Sequence, residues 1–143
     1  MTGSLKGILS HIEIYVSDLE RSTLFWDWFL SYWGYEVHQE WEKGKSWING
    51  MTYIVLVQTE NKYQKHPYHR CHTGLNHLAF YADDRSEIDR FTSEIRRKGI
   101  PILYEDRHPY AGGHDSYAIY FEDPDRIKLE VVLAPNANNN KSL

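Results

Sequence analysis

The feature that most constrains this chain is a repeat. Leu9-Ser10-His11-Ile12-Glu13-Ile14-Tyr15-Val16-Ser17-Asp18 returns as Leu75-Asn76-His77-Leu78-Ala79-Phe80-Tyr81-Ala82-Asp83-Asp84. Each copy is a histidine leading an alternating strand, then an acidic turn, then a helical pattern. A period of two along His11 to Val16 places His11, Glu13 and Tyr15 on one face and Ile12, Ile14 and Val16 on the other, where a helix would cover them. A chain of 143 residues is the size of one compact domain, so the two copies read as two halves of a single domain.

In the first half, Ser17-Asp18-Leu19-Glu20 offers a capping box with Ser17 and Glu20 as the reciprocal partners. Leu24, Phe25, Trp28, Phe29 and Tyr32 follow at helical spacing as a core-packing stripe, and Gly34 stops the helix. Tyr35 to Glu40, Ser46 to Ile48 and Met51 to Gln58 read as three strands, with Asn49-Gly50 as a tight hairpin turn. A polar stretch, Thr59 to Gly74, leads to the second half. There His77 to Ala82 is a strand, Ser86 caps a helix carrying Ile88, Phe91 and Ile95, and Gly99-Ile100-Pro101 ends it. Ile102 to Tyr104 is expected as a short strand, Arg107 to Gly113 as a glycine-containing loop. Tyr117 to Phe121 and Ile127 to Leu133 form the last hairpin. The expected architecture is α+β, two βαβββ modules at about residues 7–58 and 75–134, with a flexible tail at 135–143.

Composition narrows the class of partner. The net charge is −4, which leaves no basic stripe for nucleic acid. One cysteine, Cys71, cannot make an internal disulfide and fits a reducing compartment. No apolar run approaches the roughly 18 residues of a membrane span, and Met1 to Lys6 lacks the apolar core of a signal peptide. A cytoplasmic protein acting on a small molecule is the expectation.

Two such modules, each opened by a histidine strand, with Phe121-Glu122-Asp123-Pro124-Asp125 running into Leu129-Glu130-Val131-Val132, resemble the vicinal oxygen chelate superfamily. That group includes glyoxalase I, bleomycin-resistance proteins, fosfomycin thiol transferases and extradiol dioxygenases. The resemblance spans Leu9 to Ala134. It implies curved mixed sheets around a shared cavity, a homodimer, and metal ligands on the first and last strands of the halves. The matching positions are His11, His77 and Glu130, a set suited to Fe(II), Mn(II), Ni(II), Co(II) or Zn(II) with positions left open for substrate.

Laying Ile54-Val55-Leu56-Val57 over Leu129-Glu130-Val131-Val132 puts Val55 opposite Glu130, so a four-ligand glyoxalase set requires Glu13 or Gln58 to replace the missing donor. Glu13 shares the face of His11 and is a candidate general base or ligand-orienting group. Gly112-Gly113-His114, Ile119-Tyr120, Asp123-Pro124 and Glu130 resemble an extradiol dioxygenase signature. The interval after His114 is one residue short, and Arg126 stands where glycine or proline is usual. Glu130 shares its strand face with Lys128 and Val132, and a carboxylate inside an apolar strand needs a partner.

The remaining candidates are Tyr120 as a proton carrier and Trp47, Tyr53, Val55 and His114 as pocket residues, since aromatic walls suit planar or apolar ligands. His108, Tyr110 and His114 lie on a loop positioned to act as a lid. His66, His69, Cys71 and His72 match no zinc spacing and are read as a polar linker. The resemblance implies a metal-dependent enzyme in which the ion binds vicinal oxygens of the substrate and stabilises an enolate-like or oxyanionic intermediate. The alternative it allows is a metal-free binder of an aromatic drug or metabolite.

Overall fold

The computed structural model describes residues 3–135; the tail expected at 135–143 falls, from residue 136 onward, outside the described residues. The chain divides into two compact units, Met1–Pro67 and Tyr68–Leu143. No helix among the described residues is long and apolar enough to cross a membrane.

The first unit runs β1 (His11–Val16), α1 (Leu19–Tyr32), β2 (Glu36–Trp41), β3 (Gly44–Asn49) and β4 (Thr52–Gln58), in a sheet of order β1-β4-β3-β2. β1 runs parallel to β4, because α1 returns the chain across the sheet, and the other pairs are antiparallel hairpins. Ile14, Val16, Ile54 and Leu56 form the apolar face, and Trp26, Phe29 and Leu30 of α1 fill it. The buried stripe of α1 is therefore Ser22, Trp26, Phe29 and Leu30 rather than the row containing Leu24 and Tyr32, which lie exposed. This helix is apolar around more than one face, so periodicity alone left its rotation open; the sheet took the side that buries Trp26 completely.

The cap of α1 also differs from expectation. Asp18, not Ser17, is the N-cap and accepts from the Arg21 amide, while the Ser17 hydroxyl accepts from the Arg21 guanidinium. Gln58 closes the same helix start from across the sheet, its Oε1 accepting from the Leu19 amide at 2.8 Å and its Nε2 donating to the Ser17 carbonyl at 2.9 Å. The tight turn between β3 and β4 is Gly50-Met51, one residue later than Asn49-Gly50, with Asn49 paired to Thr52.

The second unit repeats the plan with β5 (Leu78–Ala82), α2 (Arg85–Arg97), β6 (Ala118–Glu122) and β7 (Lys128–Leu133), in a sheet of order β5-β7-β6. Leu129, Val131, Leu133 and Phe121 of the sheet and Ile88, Phe91 and Ile95 of α2 are all buried, with the Phe91 and Phe121 rings 5.5 Å apart. Asp84 is the N-cap of α2 and forms a capping box with Glu87, so Ser86 sits inside the first turn and donates to the Asp84 carboxylate instead of capping. Both helices end in the same way: the amide two residues beyond each cap reaches back to Leu30 O or Ile95 O, with Gly34 and Gly99 at positive φ between.

The strand expected at Ile102 to Tyr104 is reduced to one bridge, Ile102 with Phe121. Pro101 contributes no amide to a ladder, and Tyr104 takes φ 56°, turning the chain away from the β6 edge. Arg126, at the position where a glycine or proline is usual, takes φ 66° in the β6–β7 turn. That turn is tied by Asp123 Oδ1, which accepts from the Asp125 and Ile127 amides.

Candidate functional site

The two sheets carry corresponding pairs of side chains on the faces turned away from their helices. In the first unit the strand register sets Glu13 beside Val55; in the second it sets Ala79 beside Glu130. These registers match the superposition of Val55 on Glu130 read from the sequence. Each unit thus has one histidine at the start of its first strand and one carboxylate on the adjacent strand pair. The carboxylate is on β1 in one unit and on β7 in the other.

His77 and Glu130 lie together in the second unit. His77 Nε2 is 2.9 Å from Glu130 Oε1, and His77 Nδ1 is 2.7 Å from Asn76 Oδ1. His77 thus bridges the Asn76 side chain and a Glu130 carboxylate that is only 7% exposed. A hydrogen shared across that distance, or a cation in its place, satisfies the buried carboxylate. Two donors about 2.1 Å from one ion at a right angle are roughly 3 Å apart, so this pair has the separation of neighbouring metal ligands. The Asn76 contact is of the kind that fixes the tautomer of a ligating histidine.

Tyr120 stands beside Glu130 in the register of β6 and β7 and is almost fully buried. Burial, then the charge of Glu130 and a hydrogen bond to it, push its phenol up to about 12. Tyr120 therefore stays protonated at neutral pH and acts as a donor toward Glu130, not as a base. Its ring meets His77 edge-on at 5.9 Å and Tyr104 at 5.6 Å. The loop comes down on its hydroxyl, so that a Cβ added at Gly112 would lie 2.7 Å from it.

In the first unit His11 stacks flat on Tyr53, with centroids 4.5 Å apart and an angle of 8°. Its Nδ1 is 3.0 Å from Ser10 Oγ, and its Nε2 is 3.8 Å from Glu13 Oε1. The pattern of the second unit is repeated, a polar residue just before the histidine holding Nδ1 and a carboxylate near Nε2, but looser and more exposed. His38 joins this face through a bulge in β2, its ring 5.0 Å from Tyr53. Sequence reading missed His38 because a bulge breaks the two-residue period.

Other predicted residues fall elsewhere. Trp47 is fully buried on the side facing α1, its indole N–H donating to Asp27 Oδ1 at 2.8 Å, so it belongs to the core between sheet and helix. Val55 is buried at the centre of its sheet. His114 is exposed on the loop and meets Asp115 at 3.5 Å. Gln58 is committed to the start of α1 and is not free to ligate. In the linker, His69 Nδ1 accepts from the Cys71 amide and its ring lies 5.0 Å from that of His72. Among the described residues, neither unit by itself gathers three or more His, Cys, Asp or Glu side chains as a metal cage.

The chain is similar to several known proteins. The chain is 50% identical over 124 residues to the uncharacterized protein YqjT of Bacillus subtilis (strain 168), covering 87% of this chain and 97% of that protein. A crystal structure of a glyoxalase-like protein from Bacillus halodurans superposes with a TM-score of 0.89 at 52% identity, covering 91% of this chain and 98% of the other. The glutathione transferase FosA of Serratia marcescens is 27% identical over 123 residues, 86% of this chain and 78% of that one. The model of the Glyoxalase/Bleomycin resistance protein/Dioxygenase superfamily matches residues 8–131, and the chain belongs to that superfamily.

Proposed function

We propose that the protein is a divalent-metal-dependent enzyme acting on a small molecule through vicinal oxygen atoms, with His77, Glu130 and His11 as the ligands. The observation that carries this reading is the buried Glu130 carboxylate 2.9 Å from His77 Nε2, the separation of two neighbouring ligands of one ion. A bound ion would supply Lewis-acid chemistry to substrate oxygens. His11, in the first unit, is the third ligand that the family register implies.

The chain's own residues then divide the work. Asn76 and Ser10 hold Nδ1 of the two histidines and so aim their Nε2 atoms. Tyr120, protonated to well above neutral pH, donates to Glu130 and keeps its lone pairs directed at the site. Glu13, exposed beside His11, accepts a proton from substrate as general base. Val55, opposite Glu130 in the repeat, supplies no fourth ligand, which favours a three-ligand site over the four-ligand glyoxalase pattern. The reaction types open to such a site are those of the superfamily, including isomerisation, dioxygenation and the glutathione transfer named for the Serratia marcescens relative.

A second reading, a metal-free binder of aromatic ligands, is favoured by the flat His11–Tyr53 stack with His38 against it. Elemental analysis and calorimetric titration with Mn(II), Ni(II) and Zn(II) separate the two, using protein purified without chelator or metal-affinity tag. The enzyme reading expects near-stoichiometric uptake that His77→Ala and Glu130→Gln abolish. Absence of uptake by the wild-type protein, with aromatic ligands still bound, overturns it in favour of the binder.

A further inference from the structure

We propose that Lys128, Tyr104 and Arg107 form an anion subsite that receives an acid group of the substrate beside the His77–Glu130 pair. Three observations within the second unit converge on it. Lys128 is half-buried two residues before Glu130 on β7, so the two share a face at a spacing of roughly 7 Å. Its Nζ donates to Tyr104 Oη at 2.8 Å and lies 4.8 Å and 5.3 Å from the Tyr104 and Tyr120 ring centroids. Among the described residues no carboxylate forms an ion pair with it: Glu122, opposite in register, is taken by Arg70 and Arg126.

Tyr104 is the second observation. A bulky residue at φ 56° is held in a conformation that L side chains rarely adopt, and such outliers persist where the surroundings dictate them. Here the Arg107 and His108 amides both donate to the Tyr104 carbonyl, fixing the turn that lays its ring over Lys128. Because its hydroxyl oxygen accepts from Lys128, its own hydrogen is left to donate.

The third is Arg107, exposed with its guanidinium 5.0 Å from the Tyr104 ring centroid and, among the described residues, without an ion pair. Two cations thus flank the Tyr104 phenol, on the strand that carries a carboxylate already bonded to His77 and Tyr120. An oxyanion, whether carboxylate, phosphonate or phosphate, completes them by charge-assisted hydrogen bonds. The substrate class is a small acid whose anionic group lies a few bonds from the oxygens bound at His77–Glu130, and that identification rests on the proposed function above.

The test is an NMR titration of the full-length protein with inorganic phosphate and, in parallel, acetate at constant ionic strength, following the amides of Tyr104, Arg107 and Lys128. Saturable binding is expected, weakened about tenfold in Lys128→Met and about threefold in Arg107→Gln, an exposed position where folding is safe. Arg97→Gln on α2, which makes the same change in net charge, leaves it within about twofold. The tighter of the two anions tells a tetrahedral from a planar acid group. Failure of both anions to saturate, or equal weakening by Arg97→Gln, overturns the subsite. Lys128-dependent anion binding without metal uptake would remove the proposed function and keep the subsite; metal uptake without it does the reverse.

Discussion

Replacing Gly112 by alanine tests whether the loop over Tyr120 maintains the Tyr120–Glu130 contact. The new Cβ would lie 2.7 Å from Tyr120 Oη and 3.1 Å from Ser116 Oγ, against about 3.5 Å for an ordinary contact between heavy atoms. Tyr120 cannot yield cheaply, because it is 8% exposed and its ring is hemmed by His77 and Tyr104. Either the loop lifts, an overpacking cost of about 1–3 kcal/mol, or the hydroxyl leaves Glu130, which costs about 1.5–3 kcal/mol for a bond to a charged group. Urea denaturation should therefore show a loss of about 1–3 kcal/mol.

The two routes separate by tyrosine ring-carbon NMR on chelator-treated protein, which resolves Tyr120 among the 11 tyrosines. If the contact breaks, the phenol falls below about 12 while the part of the rise due to burial remains. Gly113→Ala is the control: at φ 119° with nothing within 4 Å it strains the backbone without touching Tyr120, so stability drops and the titration stays. Gly112→Ala with wild-type stability and an unmoved Tyr120 would refute the reasoning.

Two further outcomes follow from local structure. Burial holds the His108 imidazole below its ordinary 6.5, with Glu105 and Asp89 opposing and Arg96 assisting more weakly. The neutral form is the one favoured by folding, so this contribution is complete above pH 6.5 and is lost as pH falls through the lowered value. His108→Gln should flatten the acid limb of stability against pH in denaturant titrations; an unchanged limb counts against it. Asp84→Ala removes the capping box of α2, where Asp84 Oδ1 accepts from the Glu87 amide at 3.0 Å. About 1 kcal/mol should be lost in the same assay, whereas Ser86→Ala should cost less.

Several features were legible because they are local or periodic. The alternation around His11 and His77 gave the strands, the repeat gave the correspondence of Val55 with Glu130, and Gly34 and Gly99 gave the helix ends. The buried faces of β4 and β7 needed only the hydrophobic pattern, since a slip of one residue would expose every buried side chain of either strand. The identities of the caps were off by one or two residues, because Ser17, Asp18, Asp84 and Ser86 all have the right chemistry and only the backbone entry angle chooses among them.

What the sequence by itself determined was a duplicated α+β chain with a histidine at each strand start and a lone carboxylate in the last strand. Tertiary structure alone decided how those groups are supported. It turned Trp47 toward the helix, where its indole N–H finds Asp27, and it drew Gln58 to the start of α1, where two backbone groups needed partners. It brought His38 to Tyr53 through a bulge, and Tyr104 to Lys128 across 24 residues of chain. Such pairings depend on departures from the regular period and on competition between distant polar groups for the same partners. Neither is written in the spacing of residues along the chain.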